Sequence, residues 1–198
     1  DRTELTEVPD GLSTPWQRIG TGHAFVHEGR LVCNDNAVDG FIAFQGLLGR
    51  IEAEHTVDLR AGMSVFSNIG GHGVVVEISR PGLEMIVQLH PDRIDVAERE
   101  GRTLRWVATA PVDLSTEREL HVRKHSAVED PHETLVVFVD GVEVVRARGV
   151  GRGELDVGRV VFGSLGYQSM GASFWSWIEI ETSTVRVDAG VDVEQRSF

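Results

Sequence analysis

Among the carboxylates that stand two positions apart in this 198-residue chain are Glu52 and Glu54 and, in the last predicted strand, Glu179 and Glu181. In an extended strand, side chains two positions apart point to the same face of the sheet. Two carboxylates on one face could divide the work of glycoside hydrolysis, one attacking the sugar and the other protonating the leaving oxygen. The alternative, which we favour for these residues and for Asp58, is a solvated strand face, because charged side chains mostly stay exposed.

Gln88 and His90 have the same spacing and are therefore also expected to share one strand face. This geometry suits general acid–base chemistry, which needs the proton-transferring group within hydrogen-bond reach of the reacting atom. The alternative is a chance arrangement without a catalytic role, because QLH is short and His90 directly precedes Pro91 at a turn.

Trp175 and Trp177 are predicted to share one face of the last strand, with Ser176, Ile178 and Ile180 on the other face. Sugar rings present apolar C–H faces that stack on aromatic rings, so an exposed tryptophan pair would indicate a binding surface. If the tryptophans face the core, they are packing residues. We favour the core, because buried aromatic side chains are common.

The segment from 164 to 172 is predicted to be a rim loop whose glycines allow conformations that other residues avoid. Tyr167 is the single tyrosine of the chain and stands in this loop beside Gln168. Because the core has no evident need for a side chain at this place, Tyr167 and Gln168 are candidate ligand-binding residues.

Oxygen-bearing side chains cluster between Asn34 and Gly40, where Asp35 and Asp39 are candidate ligands of a structural calcium ion. Calcium prefers oxygen ligands and tolerates irregular loops. The favoured alternative is a turn, which uses the same residue types for their local hydrogen bonds. The single cysteine, Cys33, excludes an internal disulfide and is expected to pack in the core.

The elements that must position these residues are strands. Apolar and polar residues alternate in RIEAEHTVDLR, at 50 to 60, and similar patterns recur between close turn signals. Asp140-Gly141, between LVVFV and VEVVR, is typical of a two-residue hairpin turn, which would place Val139 opposite Val142 and Val137 opposite Val144. About a dozen such strands, with little or no helix, predict an all-β antiparallel sandwich.

The formal net charge of −12 argues against nucleic acid as a partner, because phosphates are repelled by the field of an acidic protein. No apolar run approaches the length of a transmembrane helix, so membrane insertion is not expected. No signal peptide is visible, and the chain opens on Asp1, which leaves a cleaved leader as an open alternative.

Several segments in their order along the chain carry a family resemblance. EGRLVCND is followed by RIEAEHTVDL, LEMIVQLHPDRIDV, RELHVRKH, FVDGVEVV and finally FGS, a loop and FWSWIEIE. This order resembles the concanavalin A-like, or laminin G-like, jelly roll of lectins, glucanases and many bacterial secreted modules. The resemblance covers about residues 10 to 182 of one domain, with 183 to 198 as a tail, and implies two curved sheets packed face to face. It also implies that carbohydrate would lie on the concave sheet or its rim loops.

The resemblance suggests two catalytic patterns for comparison. Retaining glucanases of this fold carry E-x-D-x-x-E, and Glu52 and Glu54 come nearest to it, without the central aspartate or the third carboxylate. Alginate lyases of this fold use an arginine, a Gln-x-His pair and a late tyrosine. On that pattern Gln88 and His90 would act near the substrate carboxylate and Tyr167 would handle protons, although the arginine-rich and lysine-bearing segments of the family are missing.

From these observations we predict a noncatalytic carbohydrate-binding module of a bacterial exported protein, located outside the cytoplasm, with no cofactor other than the candidate calcium. A polysaccharide lyase or glycoside hydrolase of the same fold is the first alternative. A laminin G-like structural or protein-interaction domain is the second.

Overall fold

The computed structural model describes residues 2–11, 14–35, 40–49, 55–69, 74–80, 83–100, 103–126, 132–150, 158–165 and 170–184. Within these ranges the chain forms fifteen β-strands and no helix. The strands are β1 (Arg2–Glu4), β2 (Trp16–Gly20), β3 (His23–His27), β4 (Arg30–Asp35), β5 (Ile42–Gly49), β6 (His55–Ile69), β7 (Val74–Arg80), β8 (Leu83–Leu89), β9 (Arg93–Glu100), β10 (Thr103–Pro111), β11 (Arg118–Ser126), β12 (His132–Val139), β13 (Val142–Val150), β14 (Gly158–Ser164) and β15 (Met170–Thr184). No helix that could cross a membrane is found in the described ranges.

The strands form two antiparallel sheets. The eight-stranded sheet has the order β13-β12-β11-β6-β15-β4-β3, and the short strand β1 adds to β15. The seven-stranded sheet has the order β10-β9-β8-β7-β14-β5-β2. The two sheets pack their apolar faces against each other, which confirms the predicted all-β sandwich.

The alternating sequence patterns account for the strands. In β6, Val57, Leu59 and Ala61 are buried in the core, whereas Arg60 points away from it and is exposed. Strands with this alternation therefore supply one apolar face to the space between the sheets.

Two hairpins are closed by residues with positive φ, one of them at the predicted turn Asp140-Gly141. Glu28 and Gly29 have φ values of 52° and 73°, and Asp140 and Gly141 have values of 51° and 77°. These angles match a two-residue turn whose twist suits the flanking strands. Asp140 also accepts a hydrogen bond from the backbone N–H of Glu119, at 3.0 Å, which ties the turn to β11.

The register of the β12–β13 hairpin differs from the prediction after its first pair. Val139 lies opposite Val142 as predicted, but Val137 lies opposite Val145 rather than Val144. The register shifts between Val137 and Phe138, because an inserted residue on β13 forms a bulge.

Aromatic side chains join the two sheets at the centre of the core. The ring of Phe162, on β14, lies 4.8 Å from the ring of Trp16 and 4.9 Å from the ring of Trp175, which belongs to the opposite sheet. Cys33 is fully buried among the same core residues, as predicted, and burial raises the pKa of its thiol.

Candidate functional site

A pocket of about 600 Å³ lies on the seven-stranded sheet, near its β10 edge. It is lined by Gln88, His90, Arg93, Asp95, Trp106, Val107, Ala108 and Thr109. These residues come from β8, β9, β10 and the short turn that joins β8 to β9. The pocket thus brings together Gln88 and His90, the pair that the sequence predicts to share one face.

The strand register places the pocket on the outer face of the sheet. Gln88 pairs with Asp95, and Asp95 pairs with Thr109, so the three side chains lie in one row across β8, β9 and β10. The neighbours of Gln88 along β8, Val87 and Leu89, belong to the core. Because side chains alternate between faces, the row of Gln88 points away from the core.

Trp106 forms the apolar side of the pocket. It lies opposite Ala97, and its exposed fraction is 51%. The register shifts between Trp106 and Ala108, which makes Val107 a bulge. Because of this extra residue, Trp106 and Thr109 point to the same face although they are three positions apart. An indole that is half exposed beside polar groups can receive the apolar face of a ligand.

Asp95 organises the polar side of the pocket. Its Oδ2 atom accepts a hydrogen bond from Nε of Arg93 at 3.0 Å, and its Oδ1 atom accepts one from the hydroxyl of Thr109. The side chain of Asp95 is mostly buried, whereas that of Arg93 is half exposed. The carboxylate is therefore held in one orientation, and Arg93 and Thr109 turn polar groups toward the pocket.

His90 lies deeper, with an exposed fraction of 6%. Its Nε2 atom is 3.1 Å from Oδ2 of Asp95 and 3.3 Å from Nη2 of Arg93. Burial lowers the pKa of His90, and the positive charge of Arg93 lowers it further, against the opposing charges of Asp95 and Asp92. The imidazole is therefore neutral at pH 7.

The ring of His90 is held from two sides. The backbone of Asn68, on β6, is hydrogen-bonded to the ring, and Nδ2 of Asn68 donates to the carbonyl oxygen of Leu89 at 2.7 Å. Nε2 of the ring faces Arg93 and Asp95. His90 thereby links the pocket to the opposite sheet.

The sequence alone does not single out four residues of the pocket, which are Arg93, Asp95, Trp106 and Thr109. One signal could have found two of them, because alternation in RIDVAE places Arg93 and Asp95 on one face of a strand adjoining Gln88. Trp106 and Thr109 could not be placed in the same way, since their faces depend on the bulge at Val107.

The prediction that Trp175 and Trp177 share a face is wrong. Trp175 lies opposite Met63 and is fully buried in the core, and Trp177 lies opposite Gly62 on the outer face of the eight-stranded sheet. The register shifts between the two tryptophans, because Ser176 is an extra residue in the strand. Trp175 therefore has no surface for a ligand, while Trp177 stacks with Arg2, whose guanidinium carbon is 4.2 Å from the ring centroid.

Three other predicted site residues, Tyr167, Gln168 and Asp39, lie outside the described ranges. The ligand role of Tyr167 and Gln168 and the calcium role of Asp39 therefore stay predictions. Asp35 ends β4 and is 1% exposed. Calcium needs six to eight oxygen ligands, and the described residues contain no group of three acidic or metal-binding side chains, so calcium also stays a prediction.

The predictions for the carboxylates differ in how the structure bears on them. Glu52 and Glu54 lie outside the described ranges. Glu181 is exposed and Glu179 partly exposed, as predicted for a solvated face. The prediction is wrong for Asp58, which is 7% exposed. Its Oδ1 atom is hydrogen-bonded to His121 Nε2 at 2.5 Å and to Arg123 Nε at 2.7 Å, so the carboxylate is paired with protein groups rather than solvated.

Comparison with known proteins identifies the fold. No protein-family model matches the sequence, and no curated protein matches it. Solved structures do match. A carbohydrate esterase from the Shiga toxin-encoding bacteriophage phi24B superposes with a TM-score of 0.61 at 13% identity, over 91% of this chain and 97% of that one. The chain has the concanavalin A-like jelly-roll fold.

Two further structures extend the range of activities found on this fold. An endo-1,3-beta-glucanase from Streptomyces sioyaensis matches with a TM-score of 0.60 at 8% identity, over 92% of this chain and 97% of that one. The carbohydrate recognition domain of Emp47p matches with a TM-score of 0.55 at 16% identity, over 89% of this chain and 92% of that one. Concanavalin A-like proteins similar to this chain thus include both carbohydrate-binding domains and carbohydrate-active enzymes.

Proposed function

We propose that the chain is a noncatalytic carbohydrate-binding module of an exported protein and that its ligand occupies the pocket beside Trp106. The observation that carries this proposal is the pairing of a half-exposed indole with a fixed polar wall of Gln88, Asp95 and Thr109. A sugar ring presents an apolar face and a rim of hydroxyl groups, and such a pocket offers a partner to each. The carbohydrate-recognition domains among the structural neighbours support the same class of ligand.

The hydrogen bonds around His90 favour binding over catalysis. A general base must have a nitrogen directed at the reacting atom, within hydrogen-bond reach of the proton that it removes. Nε2 of His90 instead lies against Arg93 and Asp95, and the ring is also held from Asn68. These contacts suit a structural support beneath the pocket.

A glycan array with and without EDTA tests this proposal. We expect a subset of glycans to bind, and the Trp106→Ala variant to bind them at least about tenfold more weakly by calorimetry, a loss of about 1.4 kcal/mol. Phe66→Ala is the matched control, because Phe66 is 76% exposed on the other sheet and should leave affinity unchanged. Absence of binding in both conditions would contradict the proposal, and binding that survives EDTA would remove calcium from it.

A polysaccharide lyase is the second candidate, because Gln88 and His90 line one pocket as the family pattern requires. A lyase leaves an unsaturated sugar end that absorbs ultraviolet light. Incubation of the protein with alginate or another uronate polymer should give no rise in absorbance if the protein only binds. A rise that disappears in His90→Ala would instead establish the enzyme.

A further inference from the structure

The two sheets have four edge strands, which differ in how they are protected against pairing with another chain. β13 and β10, at one side of the sandwich, contact each other. β2 follows Pro15 and carries Gln17 and Arg18, and Nη2 of Arg18 donates to the carbonyl oxygen of Gly22 at 2.8 Å. Charges and proline at an edge strand oppose pairing with another chain.

Within the described ranges, the remaining edge, β3, has none of these protections. Its sequence is HAFVH, without proline, lysine or acidic residues. Phe25 and Val26 are exposed by 46% and 36%. An apolar edge strand of this kind presents unpaired backbone groups and is a template for a further strand.

The hairpin turn determines which backbone groups of β3 are free. His27 lies opposite Arg30 across the two-residue turn, and this closing pair exchanges hydrogen bonds within the hairpin. Along β3, alternate residues do the same, so Phe25 is directed to its β4 partner Val32. Ala24 and Val26 therefore direct their N–H and C=O groups outward, to the free edge.

We propose that β3 pairs with β3 of a second copy of this chain, antiparallel and centred on Phe25, to form a symmetric dimer. The strand is self-complementary in this register. Ala24 would exchange both backbone hydrogen bonds with Val26 of the second copy, and the two Phe25 side chains would lie opposite each other in a non-hydrogen-bonded pair, where side chains approach closely. Each end of the interface would place His23 beside His27 of the second copy.

Residues beside β3 fit this arrangement. Phe25, Val32 and Phe174 lie in one row across β3, β4 and β15, so the dimer joins two apolar rows end to end. Glu28, just beyond the strand, would lie opposite Gly22 of the second copy, which avoids contact between like charges. The candidate carbohydrate pocket is on the other sheet, so a dimer would present two pockets and bind a repetitive glycan with greater avidity.

Light scattering after size exclusion tests the dimer at roughly 100 μM protein, where micromolar complexes are formed. We expect twice the monomer mass for the natural sequence and the monomer mass for two variants. Val26→Pro removes an outward N–H without touching the bonds to β4, and Phe25→Lys places like charges opposite each other. Ile19→Lys on β2 is the matched control and should remain dimeric, and circular dichroism checks that all variants fold.

A cysteine at the centre of the interface tests the register. Phe25→Cys should form a covalent dimer on oxidation, because only this register brings residue 25 beside its own copy, while the buried Cys33 stays unreactive. His23→Cys should link far less. A monomer for the natural sequence, a dimer that persists in Val26→Pro, or loss of the dimer in Ile19→Lys would each overturn the proposal. Val26→Pro should keep its affinity for a single oligosaccharide, so the dimer can fail while the binding function stands.

Discussion

At the scale of single residues, the geometry around His90 decides what the ring can do. The imidazole lies between the guanidinium of Arg93 and the carboxylate of Asp95, and Asn68 holds its far side. Burial and the charge of Arg93 together outweigh Asp95 and keep the ring neutral. The neutral ring supports Arg93 and Asp95, the two charged groups of the pocket wall, through its contacts with both.

The lowered pKa of His90 predicts how stability changes with pH. In the unfolded chain the imidazole titrates near 6.5, above its folded pKa, so the unfolded state binds more protons as the pH falls below 6.5. The free energy of unfolding should therefore have its full value above pH 6.5. At lower pH it should decrease, by at most about 1.4 kcal/mol per pH unit for one such group. Urea unfolding at several pH values measures this slope.

The His90→Gln variant isolates the contribution of the ring to that slope. Glutamine keeps a hydrogen-bonding side chain beside Arg93 and Asp95 but does not titrate, so the loss of stability in acid should become smaller. His125, whose pKa is lowered by burial, Arg146 and Arg123, supplies a second part, and His125→Gln should reduce the slope further. A slope that neither variant changes would show that other groups control the acid response.

Part of the site is predictable from the sequence for a physical reason. Gln88 and His90 are predictable because a two-residue spacing within one strand is a local property. Asp95 can be reached in the same way, across the short turn from β8 to β9. Trp106 and Thr109 share a face with it only because of the bulge at Val107, for which the sequence gives no local signal.

At the scale of elements, the bulges are what alternation could not predict. Most strands follow from period-two patterns and from turns such as Asp140-Gly141, which have local chemical causes. One inserted residue reverses every later face of a strand, and at Ser176 it sends Trp175 into the core and Trp177 outward. The bulge depends on what lies opposite, and here the opposite residue is Gly62, which leaves room for the indole.

Gly62→Ala tests this account of the bulge in β15. A Cβ at Gly62 would collide with the indole of Trp177, so the substitution should lower the free energy of unfolding by about 1–3 kcal/mol, as overpacking does. Gly141→Asn is a useful control, since a Cβ there meets nothing within 4 Å and asparagine tolerates positive φ. Equal effects of the two substitutions on denaturant unfolding would argue against a steric role for Gly62.

At the scale of the whole molecule, stability depends on the layer between the sheets, whereas the pocket and β3 lie outside it. Apolar residues of both sheets form one core cluster, so neither sheet can bury its inner face alone. The acidic net charge favours solubility and opposes binding of polyanions. The core therefore leaves the outer faces free to vary, which is consistent with neighbours that share the fold but have different activities.

Phe162 is the residue with which this dependence can be measured. Its ring contacts Trp16 of its own sheet and Trp175 of the other, so Phe162→Ala should open a cavity between the layers and cost about 3–5 kcal/mol. Phe66→Ala, which removes an exposed ring, should change stability by less than about 0.5 kcal/mol. Because both sheets share the cavity, tryptophan fluorescence and far-ultraviolet dichroism should report one transition at the same lowered denaturant midpoint. Two separate transitions would mean that the sheets unfold independently and that the core does not couple them.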